Sequence, residues 1–291
     1  MSEVRKAIIP LAGLGTRLLP LSKAFPKELF PLVDRPLLHY AIAEAKEAGV
    51  EEIIFVAGAS KKAISDYLKR SLQLEKLLEE HGKKDLLEDL RSIEELMAGL
   101  NVSYVTDKPL GDGHAVLQAK KLVGDAPCFI LYPDDVIDAK IACARQLEQV
   151  FRTSKKPTLA LFRLPLEKLS SYGVVATDKM ANRLHKIRKI VEKPAAGTAP
   201  SSFALAGRSI ITPDVFYYLK KTKPNKKGEV SLTETFAEMV KDGKIIYGYE
   251  CEGKWLECGN IQEWIKSFCY LACRHPKYGK EVRAFLHEER L

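Results

Sequence analysis

The sequence predicts an α/β fold: a mostly parallel mixed sheet with helices on both faces. Three observations carry that expectation. Short apolar runs alternate with stretches of helical period through residues 1–163. A glycine-rich turn follows the first run directly, at the strand end where ligands of such sheets gather. The alternation loosens after residue 164 without a low-complexity linker, so both halves should share one sheet.

The first run, Lys6 to Leu11, reads as a buried strand. A Pro-punctuated loop spans Gly13 to Pro36, and an amphipathic helix near Leu37–Ala48 stops at Gly49. Glu52–Ala57 is the next strand and Lys61–Arg70 the next helix. Residues 71–100 are charged, with leucines at helical spacing, and predict one or two inserted amphipathic helices. Strands follow at Asn101–Val105, Cys128–Tyr132 and Thr158–Arg163, with helices near 113–121 and 141–153. Beyond them, strands are predicted at Tyr172–Ala176, Lys186–Val191 and Leu205–Thr212. Helices are predicted at Pro213–Lys221, Leu232–Lys241 and Ile261–Cys273. The organisation expected is a single domain over 1–275, with 1–163 handling nucleotide and 164–275 handling sugar. Residues 276–291 would add a peripheral helix or tail.

The 291 residues carry a formal charge of +8, but the lysines are spread and no Arg-rich tract with interleaved aromatics points to nucleic acid. No apolar stretch approaches the roughly 20 residues that span a bilayer, and the chain does not open on a signal peptide. The six cysteines form no Cys-x-x-Cys pair and no zinc-finger spacing, which leaves a reduced cytoplasm as the expected setting. Cys269 and Cys273, four apart on one helix face, read as packing.

Leu11-Ala12-Gly13-Leu14-Gly15-Thr16-Arg17 is the most informative segment. Two glycines let backbone N–H groups approach an anion or a flat base, Thr16 offers a hydroxyl, and Arg17 offers a forked permanent charge. Lys27 follows in Pro26-Lys27-Glu28. The third glycine of a dinucleotide fingerprint is absent, as is the Gly-Lys-Ser/Thr of a Walker loop. Pro133-Asp134-Asp135, after an apolar strand, supplies hard oxygen ligands suited to Mg²⁺.

Gly13-Leu14-Gly15-Thr16-Arg17, then Pro20, Ser22-Lys23, Pro26-Lys27-Glu28, Pro31-Leu32 and Asp34-x-Pro36 resemble the signature of sugar-phosphate nucleotidyltransferases, most of all the bacterial UTP–glucose-1-phosphate uridylyltransferases. The resemblance runs to about residue 272. It implies the Rossmann-like nucleotide-diphospho-sugar transferase fold and transfer of a nucleotidyl group from UTP to glucose 1-phosphate with Mg²⁺. It also implies nucleotide contacts from Leu11, Ala12, Gly13, Gly15, Thr16, Glu28 and Gly113. Tyr172-Gly173-Val174-Val175 and Val191-Glu192-Lys193-Pro194 match sugar-site segments, so that Gly173 and Glu192 would take the sugar and Lys193 its phosphate. Gly207 matches a small residue lining the same pocket. The second metal carboxylate would be Glu257, where relatives usually carry Asp.

The family also carries a Gln that reads the uracil edge shortly before Gly111-Asp112-Gly113-His114. This chain has Thr106-Asp107-Lys108-Pro109 there, and Asp107 could accept from N3–H of uracil or from the two N–H groups of guanine. His114 reads as a hydrogen-bond partner at a helix start. A sugar phosphate is already an anionic nucleophile, so the expected catalysis is positioning and charge neutralisation by Arg17, Lys27, Lys193 and a metal on Asp134. The rival readings are another nucleotide such as dTTP or GTP with another sugar phosphate, a non-catalytic sugar-nucleotide-binding regulator, and a dehydrogenase. A homo-oligomer, dimer or tetramer, is expected.

Overall fold

A computed structural model describes residues 3–58 and 61–289, so the last two residues of the expected C-terminal segment lie outside it. Strand β1 (Lys6–Leu11) leads into the Pro-punctuated segment. That segment makes three single 3-10 turns, at Thr16–Leu18, Leu21–Lys23 and Lys27–Leu29. Pro20 and Pro26 each stand just before a turn, where a missing N–H breaks no bond. A ribbon of β2 (Pro31–Leu32) and β3 (Arg35–Pro36) then feeds α1 (Leu37–Glu47). Gly49, at φ 87°, turns the chain out of that helix into β4 (Glu52–Ala57).

Helix α2 (Lys61–Leu68) precedes the leucine-rich insertion, which forms two helices, α3 (Leu72–Glu80) and α4 (Lys84–Met97). Next come β5 (Asn101–Thr106), α5 (Asp112–Gln118), α6 (Lys120–Val123), β6 (Cys128–Leu131) and β7 (Asp135–Asp138). Helix α7 (Cys143–Ser154) and β8 (Thr158–Arg163) follow. The later half supplies β9 (Gly173–Lys179), β10 (Leu184–Glu192), β11 (Phe203–Ile211), α8 (Pro213–Leu219) and α9 (Leu232–Lys241). It ends in β12 (Tyr247–Glu250), β13 (Lys254–Glu257), α10 (Ile261–Arg274) and α11 (Gly279–Glu288). The C-terminal segment is therefore a helix.

Nine strands form one sheet in the order β5-β4-β1-β6-β11-β8-β12-β10-β9. The first four run parallel, as βαβ crossovers require. Beyond β6 the sheet is mixed: β11 is antiparallel to both neighbours, β8 and β12 are parallel, and β10 pairs antiparallel on both sides. Successive strand residues feed opposite faces. Ile9 packs with Leu38, Ile42, Leu147 and Phe151 under α1 and α7, while Ile8 packs with Val116, Phe216 and Phe236 under α5, α8 and α9. A smaller cluster of Leu18, Phe30, Leu32, Val136 and Leu256 fastens the loop to β7, β13 and the Trp264 side of α10.

The six cysteines are free, and the buried Cys143 and Cys251 thiols lie 3.2 Å apart. Cys269 is exposed, because its position on α10 faces solvent, so the packing expected of the Cys269–Cys273 pair does not hold there.

Arg208 of β11 is a charged residue with no side-chain exposure, and its Nε donates to Glu44 Oε2 of α1 at 2.8 Å. Removing one partner of such a pair leaves a buried charge uncompensated, at a cost of about 3–5 kcal/mol. Urea unfolding of Glu44→Ala should show a loss of that size. Glu80→Ala, which removes an exposed 3.8 Å contact to Lys76, should change stability by no more than about 0.5 kcal/mol.

Candidate active site

The phosphate loop forms one wall of a cleft of about 690 Å³, to which Ala12, Gly13, Leu14, Thr16 and Lys27 contribute. Pro109, Gly111 and Asp112 lie beside them, and Asn225–Glu229 of the α8–α9 connection stand opposite. Gly15 makes the loop shape possible. Its φ is 61°, and a Cβ there would press on Ser22 Cβ at 3.2 Å and Lys27 Cβ at 3.3 Å. Ser22 Oγ donates to Gly15 O at 2.8 Å and fixes the fold-back that carries Lys27 into the cleft.

Acid enters on a turn. The Asp135 amide donates to Tyr132 O at 3.2 Å, and between them Asp134 faces the loop. Lys27 Nζ donates to Asp134 Oδ2 at 2.6 Å. Strands β7 and β13 form an antiparallel ribbon in which Glu257 pairs with Asp135, and the Cys258 amide donates to Asp134 O at 2.7 Å. The ribbon thus brings Glu257 beside Asp134 across a long stretch of sequence. Above Gly259, a Cβ would meet Arg17 Nη2 at 3.1 Å, Asp134 Oδ2 at 3.5 Å and Glu257 Oε1 at 3.6 Å. Two carboxylates and two cations therefore converge on one small space.

Burial by itself would push the Asp134 carboxyl up, but the Lys27 ammonium, its hydrogen bond and Arg17 outweigh it and hold the group below its ordinary value. Burial likewise works against the Lys27 charge, and Asp134, Glu28 and Asp135 overcome it and raise its pKa. Asp135 is pushed up to about 7 by burial and by Asp134, while Arg208 pulls the other way. Trp255 Nε1 donates to Asp135 Oδ1 at 2.6 Å. Both Glu257 oxygens are engaged: the Tyr172 hydroxyl donates to Oε2, and Asn260 Nδ2 donates to Oε1 at 3.3 Å. Among the described residues, no group of three or more His, Cys, Asp or Glu side chains could hold a metal alone. The donor chemistry that Asp134 and Glu257 offer suits a hard cation that takes its remaining ligands from substrate oxygens and water.

A second cavity of about 310 Å³ shares Lys27, Asp112, Tyr132, Glu192, Lys193 and Thr233 with the first, so the two are lobes of one cleft. Gly173, Gly207, Trp255 and Glu257 line its inner end. Gly207 is required by close approach: a Cβ there would lie 2.2 Å from Asp135 Oδ2. Lys193 is held at φ 45°, an uncommon conformation for a side-chain-bearing residue; its amide donates to Tyr172 O at 3.0 Å and its Nζ stands 3.0 Å from Glu192 Oε1.

Four of the expected nucleotide contacts fall elsewhere. The Asp107 amide continues the β4 ladder to Ala57 O, which turns its side chain inward; Oδ1 accepts from the Lys108 amide at 2.7 Å and stands 2.8 Å from His114 Nδ1. It is off the cleft wall, and His114 is a helix-start partner as expected. The Gly113 amide is already shared between Val230 O and Asp112 Oδ1, and a Cβ there would strike Leu232 N at 2.9 Å, so this glycine lets α5 abut α9. Leu11 is buried in the core at the strand end. Glu28 is buried beneath the loop, its Oε1 without a hydrogen-bond partner and its carboxyl pushed up to about 7 by burial.

Sequence reasoning missed Asp112, whose Oδ1 accepts from the Leu232 amide at 3.1 Å and Oδ2 from the Tyr132 hydroxyl at 2.8 Å. It also missed Arg208, for which a charge inside the apolar run Leu205–Thr212 was an available signal. Lys226, Lys227 and Thr233 on the cleft wall carried none.

A family model described as Nucleotidyl transferase matches residues 6–272. The chain is 40% identical over 287 residues to a UTP–glucose-1-phosphate uridylyltransferase of Bacillus subtilis strain 168, covering 98% of this chain and 97% of the relative. It is 36% identical to the protein of that name from Staphylococcus haemolyticus, covering 99% of each. Among solved structures, a UTP-bound UGPase from Acinetobacter baumannii superposes with a TM-score of 0.89 at 33% identity, over 98% of this chain and 99% of that one. A UDP-glucose pyrophosphorylase complexed with UDP-glucose superposes with a TM-score of 0.84 at 33% identity, over 94% of this chain and 100% of that one. With a matching family model across nine-tenths of its length and relatives alike from end to end, the chain belongs to the nucleotidyl transferase family.

Proposed function

We propose that this enzyme transfers the uridylyl group of UTP to the phosphate of glucose 1-phosphate, forming UDP-glucose and releasing pyrophosphate. The observation that carries the reading is the two-lobed cleft whose lobes meet at Lys27 and Glu192, with Arg17 and Asp134 beside them. Full-length similarity to enzymes named for this reaction supports the substrate pair.

A phosphate oxygen of glucose 1-phosphate attacks the α-phosphorus of UTP, and the bond to the leaving pyrophosphate breaks in line. The nucleophile is anionic at neutral pH, so no side chain need remove a proton. Two polyanions must nevertheless meet, and fixed cations make that possible. In this reading Arg17 receives the leaving pyrophosphate, Lys27 the triphosphate and Lys193 the sugar phosphate. Glu192 accepts from sugar hydroxyls, and the Gly173 backbone lies against the ring. Asp134 and Glu257 would hold Mg²⁺, which when bound supplies positive charge to phosphate oxygens. The backbone of Ala12, Gly13 and Gly111 flanks the base. With Asp107 turned away from the cleft, the case for guanine loses its acceptor. The cations kept in the cleft argue against a non-catalytic regulator. A cytoplasmic homo-oligomer belongs to the same reading; no helix among the described residues is long and apolar enough to cross a membrane.

Pyrophosphate release from enzyme, Mg²⁺ and glucose 1-phosphate should be strongest with UTP in a panel that includes dTTP, GTP, ATP and CTP. No release with UTP would overturn the proposal, and equal release with dTTP would show that no group reads the uracil methyl position. Arg17→Ala should cost about 2–4 kcal/mol in kcat/KM, the scale for removing one fixed charge-stabilising group. Gly207→Ala should lower turnover at least tenfold with unchanged far-UV circular dichroism, because its Cβ would meet Asp135 Oδ2 at 2.2 Å.

A further inference from the structure

The carboxylate assigned above to the metal already has a cation on it. Lys27 Nζ donates to Asp134 Oδ2 at 2.6 Å, and with side chains 18% and 13% exposed the pair is largely shielded from water. Glu257 offers no ready alternative, since Tyr172 and Asn260 each donate to one of its oxygens. Arg17 approaches the same space above Gly259. The formal charges of Asp134 and Glu257 are therefore balanced by those of Lys27 and Arg17 before any ligand arrives.

A free divalent cation would enter this balanced group with nothing to neutralise it. It would also have to separate the Lys27–Asp134 pair and leave an ammonium stranded in a shielded place. A metal–triphosphate complex meets neither obstacle. Its phosphate oxygens can receive Lys27 and Arg17 as Asp134 turns to the metal, so every charge keeps a partner throughout. We propose that Lys27 is an internal stand-in for the metal, holding Asp134 until a metal–nucleotide complex arrives, and that metal and nucleotide consequently load together. This inference rests on the metal assignment of the function proposed above. Lys27 then acts twice, first on the protein's own carboxylate and afterwards on the substrate.

The test uses Mn²⁺ as a paramagnetic probe, without sugar phosphate so that no turnover occurs. Free Mn²⁺ is followed by electron paramagnetic resonance, with the metal held by UTP alone subtracted. Wild type without nucleotide should retain almost no Mn²⁺, and with UTP it should retain one ion. Lys27→Gln and Lys27→Met should bind Mn²⁺ without nucleotide at least tenfold more tightly than wild type. Lys27→Arg, which keeps the charge, should stay closed, and adding Asp134→Asn to Lys27→Gln should abolish the gain. Nucleotide-free wild type binding Mn²⁺ as tightly as Lys27→Gln would overturn the proposal. So would the absence of any gain in both neutral variants while their circular dichroism and melting match wild type. Loss of the parent reading has a different signature: wild type would retain no Mn²⁺ even with UTP and would release no pyrophosphate.

Discussion

Water would normally hydrate a guanidinium, yet the Arg208 side chain reaches none. Glu44 balances its charge, while its Nη1 donates to the carbonyls of Tyr132 at 2.7 Å and Gly207 at 2.9 Å. The first of those carbonyls also closes the turn that presents Asp134. Glu44 is anchored in turn, since its Oε1 accepts from the Ala144 amide at the start of α7. One buried ion pair thus joins α1, α7, β11 and the acidic turn. From the turn the β7–β13 ribbon carries the constraint to Glu257, and the apolar cluster around Leu18, Val136 and Leu256 carries it to the phosphate loop.

Electrostatic balance explains why the neighbours have the character they do. Asp134 and Asp135 are adjacent and buried, and each raises the other's cost of ionisation. Lys27 and Arg17 answer the first, while Arg208 and the Trp255 N–H answer the second. The excess of base over acid in the whole chain is spread over its surface, whereas the centre of the cleft is matched charge for charge.

The parallel half of the sheet was legible because its strands are apolar for four to six residues and are separated by helices of clear period. Strands β7, β12 and β13 were not. Asp-Val-Ile-Asp, Tyr-Gly-Tyr-Glu and Lys-Trp-Leu-Glu are too short and too mixed in polarity to show a period, and each is a strand only because a partner lies alongside. In the cleft, Lys27, Asp134, Glu192 and Lys193 were readable from motif and residue chemistry. Asp107 misled because closeness in sequence to Gly111 says nothing about which side of β5 a terminal side chain leaves. Gly113 misled for a related reason, since close packing on α9 and contact with a ligand both ask for a missing Cβ.

The sheet passes unbroken beneath both lobes of the cleft. Strand β6, which ends in the acidic turn, is hydrogen-bonded to β11, which carries Gly207, from Arg208–Leu131 through Ile211–Cys128. Swinging one half of the molecule away from the other would shear that ladder, so the protein has no hinge at the place where a two-domain enzyme would put one. Traffic of large anionic ligands must then be managed by what overhangs the sheet, chiefly the Asn225–Glu229 loop and the chain around Lys193. Such an enzyme resembles a fixed bench with movable clamps, and its turnover should respond to stiffening of those clamps far more than to crosslinks placed between the strands below.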